Sequence, residues 1–166
     1  HRVGAFKLTN QDGQLITEKN YRNKIYITDF FFVTCPTICP KMTDQMHRVY
    51  KEFKANDDIM FLSHTVMPEA DSVPVLKEYA DKLNVDAAKW NFVTGDKKQI
   101  YNLARKTYFA AITEGDGGVD DFIHTENFVL VDKEKRLRGF YDGTSKKDVD
   151  RLIEDINALL YEYEGN

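Results

Sequence analysis

Apolar residues along the chain change period several times, and each change marks an element. Residues 24–33 (KIYITDFFFV) are almost continuously apolar and rich in β-branched and aromatic side chains. That pattern predicts a strand buried on both faces. Upstream, short apolar runs flank Asn10-Gln11-Asp12-Gly13 between Val3 and Leu15, which predicts a hairpin. Downstream, Met42, Met46, Val49, Tyr50 and Phe53 fall at helical spacing within 40–54. A second strand is predicted over 59–66, then a helix over 72–83 with Val75, Leu76, Tyr79 and Leu83 on one side, then a short strand over 90–94. Asp96 is a good N-cap for a helix reaching about Thr107, and 109–112 reads as a short extended piece. Residues 113–121 (TEGDGGVDD) form a glycine-rich acidic loop. Residues 126–131 and 137–141 read as a hairpin around Lys133-Glu134-Lys135, and Ser145 caps a last helix to about Tyr161.

A hairpin, then βαβα units, then a second hairpin and a helix imply a sheet that is parallel in part. The expected fold class is α/β. It is a thioredoxin-like three-layer fold with a central mixed sheet, an N-terminal β-hairpin and an inserted loop and hairpin in the C-terminal half. No repeat, low-complexity tract or linker divides the sequence, so residues 1–166 are expected to form a single domain.

Composition narrows the function classes. The net charge is −4, and the doublets Lys97-Lys98 and Lys146-Lys147 sit among acidic neighbours. Neither nucleic acid nor an anionic membrane surface has an electrostatic footprint here. No run approaches the roughly 20 apolar residues of a spanning helix. The chain begins at His1, so an upstream segment is expected, either a removed signal or a membrane anchor. Glu114, Asp116, Asp120 and Asp121 lack the alternation of a calcium loop.

Chemistry concentrates in Cys35 and Cys39, the only cysteines. The loop they span is too short to staple a fold, so redox or metal chemistry is expected, with a local structural disulfide as the plain alternative. They lie between the predicted strand and helix, where open α/β sheets place ligands. Each precedes a proline, which disfavours helical backbone at both. A tight loop is expected, stiffened by Pro36, with Pro40 in the first helical position. The helix N-terminus should favour a thiolate at Cys39. Thioredoxin-type oxidoreductases separate their cysteines by two residues. Here Pro36, Thr37 and Ile38 intervene, a wider bite suited to holding a metal.

Several blocks together resemble the Sco/SenC family of copper chaperones. They are Val33-Thr34-Cys35-Pro36-Thr37-Ile38-Cys39-Pro40, Thr65-Val66-Met67-Pro68-Glu69-Ala70-Asp71-Ser72, Asn91-Phe92-Val93-Thr94-Gly95-Asp96 and Ile123-His124-Thr125-Glu126-Asn127-Phe128-Val129-Leu130-Val131-Asp132. The resemblance implies copper, Cu(I) or Cu(II), held by Cys35, Cys39 and His124. It implies assembly of the binuclear copper site of cytochrome c oxidase, with subunit II or another copper protein as recipient. A thiol-disulfide reductant or an upstream copper donor is a further partner. The implied location is extracytoplasmic, on the periplasmic face, with the membrane reached only through a segment outside this chain. Such a chaperone is a binding module and not an enzyme. The competing reading is an extracytoplasmic thiol-disulfide oxidoreductase using Cys35 and Cys39 as a redox-active pair.

Two thiolates and an imidazole suit Cu(I) and tolerate Cu(II), and three ligands leave a position open for transfer. The family often has acidic residues where Thr37, Met67 and Ile123 stand here, and fewer carboxylates should favour Cu(I). The loop of Gly115, Gly117 and Gly118 should let His124 swing on and off the metal. Met67 is expected to pack under its loop, with an auxiliary copper contact as the sharper alternative. His64 alternates with Thr65 and is a weak fourth ligand. Met42 and Met46 are expected in the core, His47 on the surface, and His1 disordered.

Overall fold

The computed structural model describes residues 1–35 and 38–164, Ile38 by its backbone alone. Strands β1 (Lys7–Thr9) and β2 (Leu15–Thr17) form the N-terminal antiparallel hairpin. In its turn, Asn10 Oδ1 accepts the amides of Asp12 and Gln14, and Gly13 takes a φ of 75° that favours glycine. A 3₁₀ turn capped by Thr17 covers Glu18–Tyr21. There follow β3 (Ile25–Phe31), α1 (Ile38–Phe53), β4 (Ile59–Thr65), α2 (Val73–Leu83), β5 (Trp90–Val93) and α3 (Lys97–Asn102). A π-helical turn at Leu103–Thr107 continues α3, and β6 (Asn127–Val131), β7 (Leu137–Asp142) and α4 (Lys146–Glu164) complete the chain.

The large sheet has the order β5-β4-β3-β6-β7. β3, β4 and β5 are parallel, while β6 and β7 run antiparallel. This is the mixed sheet the element order predicts, and β3 lies at its centre because every one of its residues is buried. Side chains alternate across it. Ile25, Ile27 and Phe31 join a cluster with α1, α2 and α4. Tyr26 and Phe30 join a second cluster with the N-terminal hairpin, α3 and the π turn. Layers of packing therefore cover both faces, and each such apolar side chain contributes about 1.5–3 kcal/mol by leaving water. Met42 and Met46 are buried in the first cluster, as expected.

Several local expectations need correcting. α1 begins at Ile38, so Cys39 lies inside its first turn and not before it. His47 is half-buried, its ring nitrogen 3.0 Å from the Leu83 carbonyl. His1, expected to be disordered, places Nε2 2.8 Å from the Thr107 carbonyl and its ring 4.9 Å from Phe109. Residues 109–112 form no strand: the Ala104 carbonyl accepts the amides of both Ala110 and Ala111, and Phe109 is forced to a φ of 51°.

A bulky residue in the left-handed region costs about 1–2 kcal/mol. Phe109→Gly is therefore expected to be more stable than Phe109→Ala by about 1 kcal/mol, read as a higher urea midpoint. Equal midpoints would remove the strain.

Candidate metal centre

The segment leaving β3 is fixed before it reaches the sulfurs. The Val33 amide donates to Asp71 Oδ2 at 3.0 Å, and the Thr65 hydroxyl donates to the same oxygen at 2.6 Å. Asp71, buried in the loop after β4, thus ties the cysteine turn to the neighbouring strand. The Cys35 amide donates to the Phe32 carbonyl at 3.3 Å. Both cysteines are buried and are thiols. The Cys39 amide donates to Cys35 Sγ at 3.3 Å. Amides of a first helical turn lack intrahelical acceptors, so the Cys35 sulfur serves as a capping acceptor for α1. Pro36, expected to stiffen this turn, and Thr37 lie outside the described residues.

The expected thiolate at Cys39 is overturned. Burial, the hydrogen bond with Cys35 and the nearby charge of Asp29 push its thiol up to about 12. A helix terminus offers a local attraction, and here the loss of water outweighs it. Asp29 sits on the same face of β3. Its Oδ1 accepts the Ser63 hydroxyl at 2.5 Å, and Ser63 Oγ accepts Trp90 Nε1–H at 3.0 Å. Burial pushes the Asp29 carboxyl up to about 7, with Ser63 drawing it down.

His124 arrives from the other half of the chain. β6 is antiparallel to β3, with Thr28 opposite Val129 and Tyr26 opposite Val131. The chain entering β6 therefore lies at the C-terminal end of β3, where Cys35 follows. Phe122 places its ring edge-on to Phe32, 5.5 Å between centroids, and so stands beside the cysteine turn. Around His124 the backbone is pinned. Ile123 is fully buried, and the Ala110 carbonyl accepts the Thr125 hydroxyl at 2.5 Å and Asn127 Nδ2–H at 2.9 Å. The His124 side chain is exposed, in a groove with 110–113, and makes no hydrogen bond among the described residues. Two of the three expected ligands are in contact. The third shares their end of the sheet, but no three His, Cys, Asp or Glu side chains among the described residues are grouped to hold a metal.

The acidic loop before His124 is clamped. Arg105 donates from both terminal nitrogens to Asp121, at 2.5 and 2.7 Å, with both side chains largely buried. Asp121 also accepts the Gly117 amide at 2.8 Å, and Lys97 donates to the Gly118 carbonyl at 2.8 Å. The Arg105 hydrogen bonds hold the Asp121 carboxyl down to about 2. Any swing of His124 is thus left to its side chain unless this clamp opens.

His64 has no part in the centre. It lies on the opposite face of the sheet, stacked on Phe30 at 4.4 Å, with Nδ1 3.2 Å from both the Thr28 hydroxyl and the Asp29 carbonyl. Its Nε2 is buried without a partner among the described residues, and burial pushes its pKa down to about 4. Met67 is half-buried and packs against the second cluster. Asp29, Asp71 and the Arg105–Asp121 pair were given no role by the sequence. The signal for Asp29 was a lone charge in an apolar run, and for Asp71 its place in the second block. The clamp joins residues far apart in sequence and left none.

The chain is similar to known proteins in both sequence and fold. A family model described as SCO1/SenC matches residues 1–161. A SCO1/SenC family lipoprotein from Bacillus anthracis superposes with a TM-score of 0.83 at 29% identity, covering 96% of this chain and 95% of that one. BsSco, a Sco-family cytochrome c oxidase assembly protein with a disulfide switch, superposes with a TM-score of 0.80 at 31% identity, covering 96% and 93%. Copper-bound ScoI from Arabidopsis thaliana superposes with a TM-score of 0.76 at 27% identity, covering 98% and 100%. The three-layer fold described above is thioredoxin-like, as these structures are.

The two buried titratable groups oppose each other with pH. His64 falls to about 4 from 6.5, so between those values only the unfolded chain takes the proton, and stability drops on acidification. Asp29 rises to about 7 from 3.8, so between those values only the folded chain holds the proton, and stability drops on alkalinisation. Relative to the parent, Asp29→Asn should gain on the order of 1 kcal/mol of stability per pH unit as pH rises through that window. His64→Phe should show the reverse slope. Urea midpoints across this range test both, and profiles parallel to the parent would overturn the assignment.

Proposed function

The chain belongs to the SCO1/SenC family, and from that premise we propose that it is a metallochaperone carrying copper on Cys35, Cys39 and His124 for assembly of the binuclear copper site of cytochrome c oxidase. The observation that carries this reading is the placement of three soft or borderline donors at one end of the sheet. Two buried sulfurs meet across the start of α1, and His124 follows Phe122, which touches the segment leading to Cys35. The copper on the Arabidopsis relative and the oxidase-assembly role of BsSco support it.

The metal is cargo, so the site has to bind without closing. Two sulfurs anchored by backbone form the fixed part. An exposed imidazole on a pinned backbone is the part that can turn onto the metal or off it. Thiolate donors suit the soft Cu(I) ion. Binding replaces the proton that burial holds on Cys39, so uptake of copper releases protons. Recipients are subunit II of the oxidase or another copper protein, with an upstream donor or thiol reductant loading the site. An extracytoplasmic position on a tether outside this chain follows the lipoprotein relative.

The competing reading is thiol-disulfide exchange, favoured by the contact between the cysteines and by the disulfide switch of BsSco. Exchange needs a thiolate attacker, and a Cys39 thiol held at about 12 is a poor one. Copper binding suffers less, since the metal competes directly for the proton.

Anaerobic Cu(I) titration against a chromophoric competitor separates the two. The reduced parent is expected to bind one equivalent. His124→Ala should lose more than the roughly 10–100-fold cost of disturbing an outer-shell group, and Cys39→Ser should lose more again. Equal affinity in His124→Ala would remove the histidine from the site. A Cu(II) complex as tight as the Cu(I) complex would remove the preference for the lower charge.

A further inference from the structure

The backbone that carries His124 is held on both sides. After it, the Thr125 hydroxyl and Asn127 Nδ2–H donate to the Ala110 carbonyl. Before it, the attachments converge on Tyr101. This residue lies on α3, is 1% exposed and packs in the second cluster with Val66 and Ile123. Its hydroxyl donates to the Val66 carbonyl at 2.6 Å and accepts a hydrogen bond from the Ile123 amide. A phenol oxygen can donate one hydrogen bond and accept another, so a single atom serves both backbones.

The far end of that bridge leads to the cysteines. The Val66 amide donates to the Phe31 carbonyl at 2.8 Å, and Phe31 is the last residue of β3. Thr65, beside Val66, donates to the Asp71 carboxylate that also accepts the Val33 amide. Hydrogen bonds thus run from Phe31 to Val66, from Val66 to Tyr101 and from Tyr101 to Ile123. They connect the strand that delivers Cys35 with the residue preceding His124. The Tyr101 ring also carries two cations that hold the acidic loop. Lys97 Nζ stands 5.1 Å from its centroid and Arg105 Cζ 5.6 Å, a favourable cation–π range. Lys97 reaches the Gly118 carbonyl, and Arg105 reaches Asp121.

An imidazole that turns about its own side-chain bonds reaches only the positions its Cα allows. We propose that Tyr101 is a positioning residue of the metal centre: its hydroxyl, shared by Val66 and Ile123, sets where His124 stands relative to Cys35 and Cys39, and through that the affinity for Cu(I). The proposal rests on the reading of His124 as the third copper ligand. Tyr101 itself touches no metal. It acts on the ligand through one backbone amide, while its ring supports the loop that leads there.

Tyr101→Phe tests this, because it deletes one oxygen and keeps the ring, its packing and both cation contacts. The first readout is amide hydrogen exchange in the copper-free chain, with the β3 amides as internal reference. Exchange at Ile123 should be on the order of tenfold faster in the variant. The second is Cu(I) affinity by competition titration of the parent, Tyr101→Phe, His124→Ala and the double variant. Tyr101→Phe should lose on the order of tenfold in the parent background, as loss of an outer-shell group does. It should lose nothing further in the His124→Ala background, since both changes then remove the same interaction. A residue that only stabilises the fold would weaken binding by one factor in both backgrounds, and that result overturns the proposal. Unchanged exchange at Ile123 overturns it too, as does parent-like affinity in Tyr101→Phe beside a weakened His124→Ala. If exchange at Ile123 accelerates while His124→Ala binds Cu(I) as the parent does, the ligand reading is what fails. Tyr101 then pins a loop that brings no donor, and its role in affinity falls with that reading.

Discussion

Dehydration of two sulfurs at the junction of β3 and α1 is the constraint on which the rest of the site depends. A central strand buried on both faces delivers Cys35 into the interior, and the first turn of α1 brings Cys39 against it. Removing water from a thiol disfavours its charged form, and the neighbouring Asp29 adds to that penalty. Cys39 is therefore quiet until something replaces its proton. A soft cation does so directly, which a disulfide partner cannot. Burial that looks unsuited to reactive cysteines is compatible with the proposed role of these sulfurs as metal donors.

Much of this architecture was legible because it follows from short-range rules. The unbroken apolar run of β3, the phase of Met42 and Met46, and the caps at Asp96 and Ser145 all depend on neighbours a few residues away. Asp96 accepts the Gln99 amide at 3.1 Å and Ser145 accepts the Asp148 amide at 3.1 Å, as good N-caps should. What escaped depends on distant partners. The π turn closes where the Tyr108 amide reaches the Leu103 carbonyl, and Phe109 takes its positive φ where the Ala104 carbonyl serves two later amides. The ionisation of Cys39 misled for the same reason. A helix terminus is visible in the sequence, whereas the burial that outweighs it is a property of the assembled layers. Asp29 stood out as a charge in an apolar strand, but its purpose needs Ser63 and Trp90 from the adjoining strands.

The two faces of the sheet divide the polar burden. On the cysteine face, Asp29 finds Ser63, and Ser63 finds Trp90. On the other face, Thr28 donates to the Leu62 carbonyl at 2.7 Å and lies near His64, while Tyr26 and Tyr108 meet at 2.9 Å between hydroxyls. Buried polar groups that are paired in this way lose little on folding, and an orphan costs about 1–3 kcal/mol. His64 Nε2 is such an orphan among the described residues, and burial of the ring accounts for its reluctance to take a proton. The strand pair β3–β4 thus hosts titratable groups on both sides, with opposite responses to acid.

Rigidity and exchange are reconciled by where the anchors stop. Asp71 fixes the approach to Cys35, the Ala110 carbonyl holds Thr125 and Asn127, and Arg105 fixes the acidic loop through Asp121. Between these points the backbone has little play, so a ligand that must engage and release has to do it by side-chain rotation. Rotation of an exposed imidazole takes place in picoseconds to nanoseconds, far faster than opening of a clamped loop. Under the proposed copper-carrier reading, two donors wait in a dry pocket and the third in water, and the slow step is the approach of whatever takes the metal, not the rearrangement of the carrier.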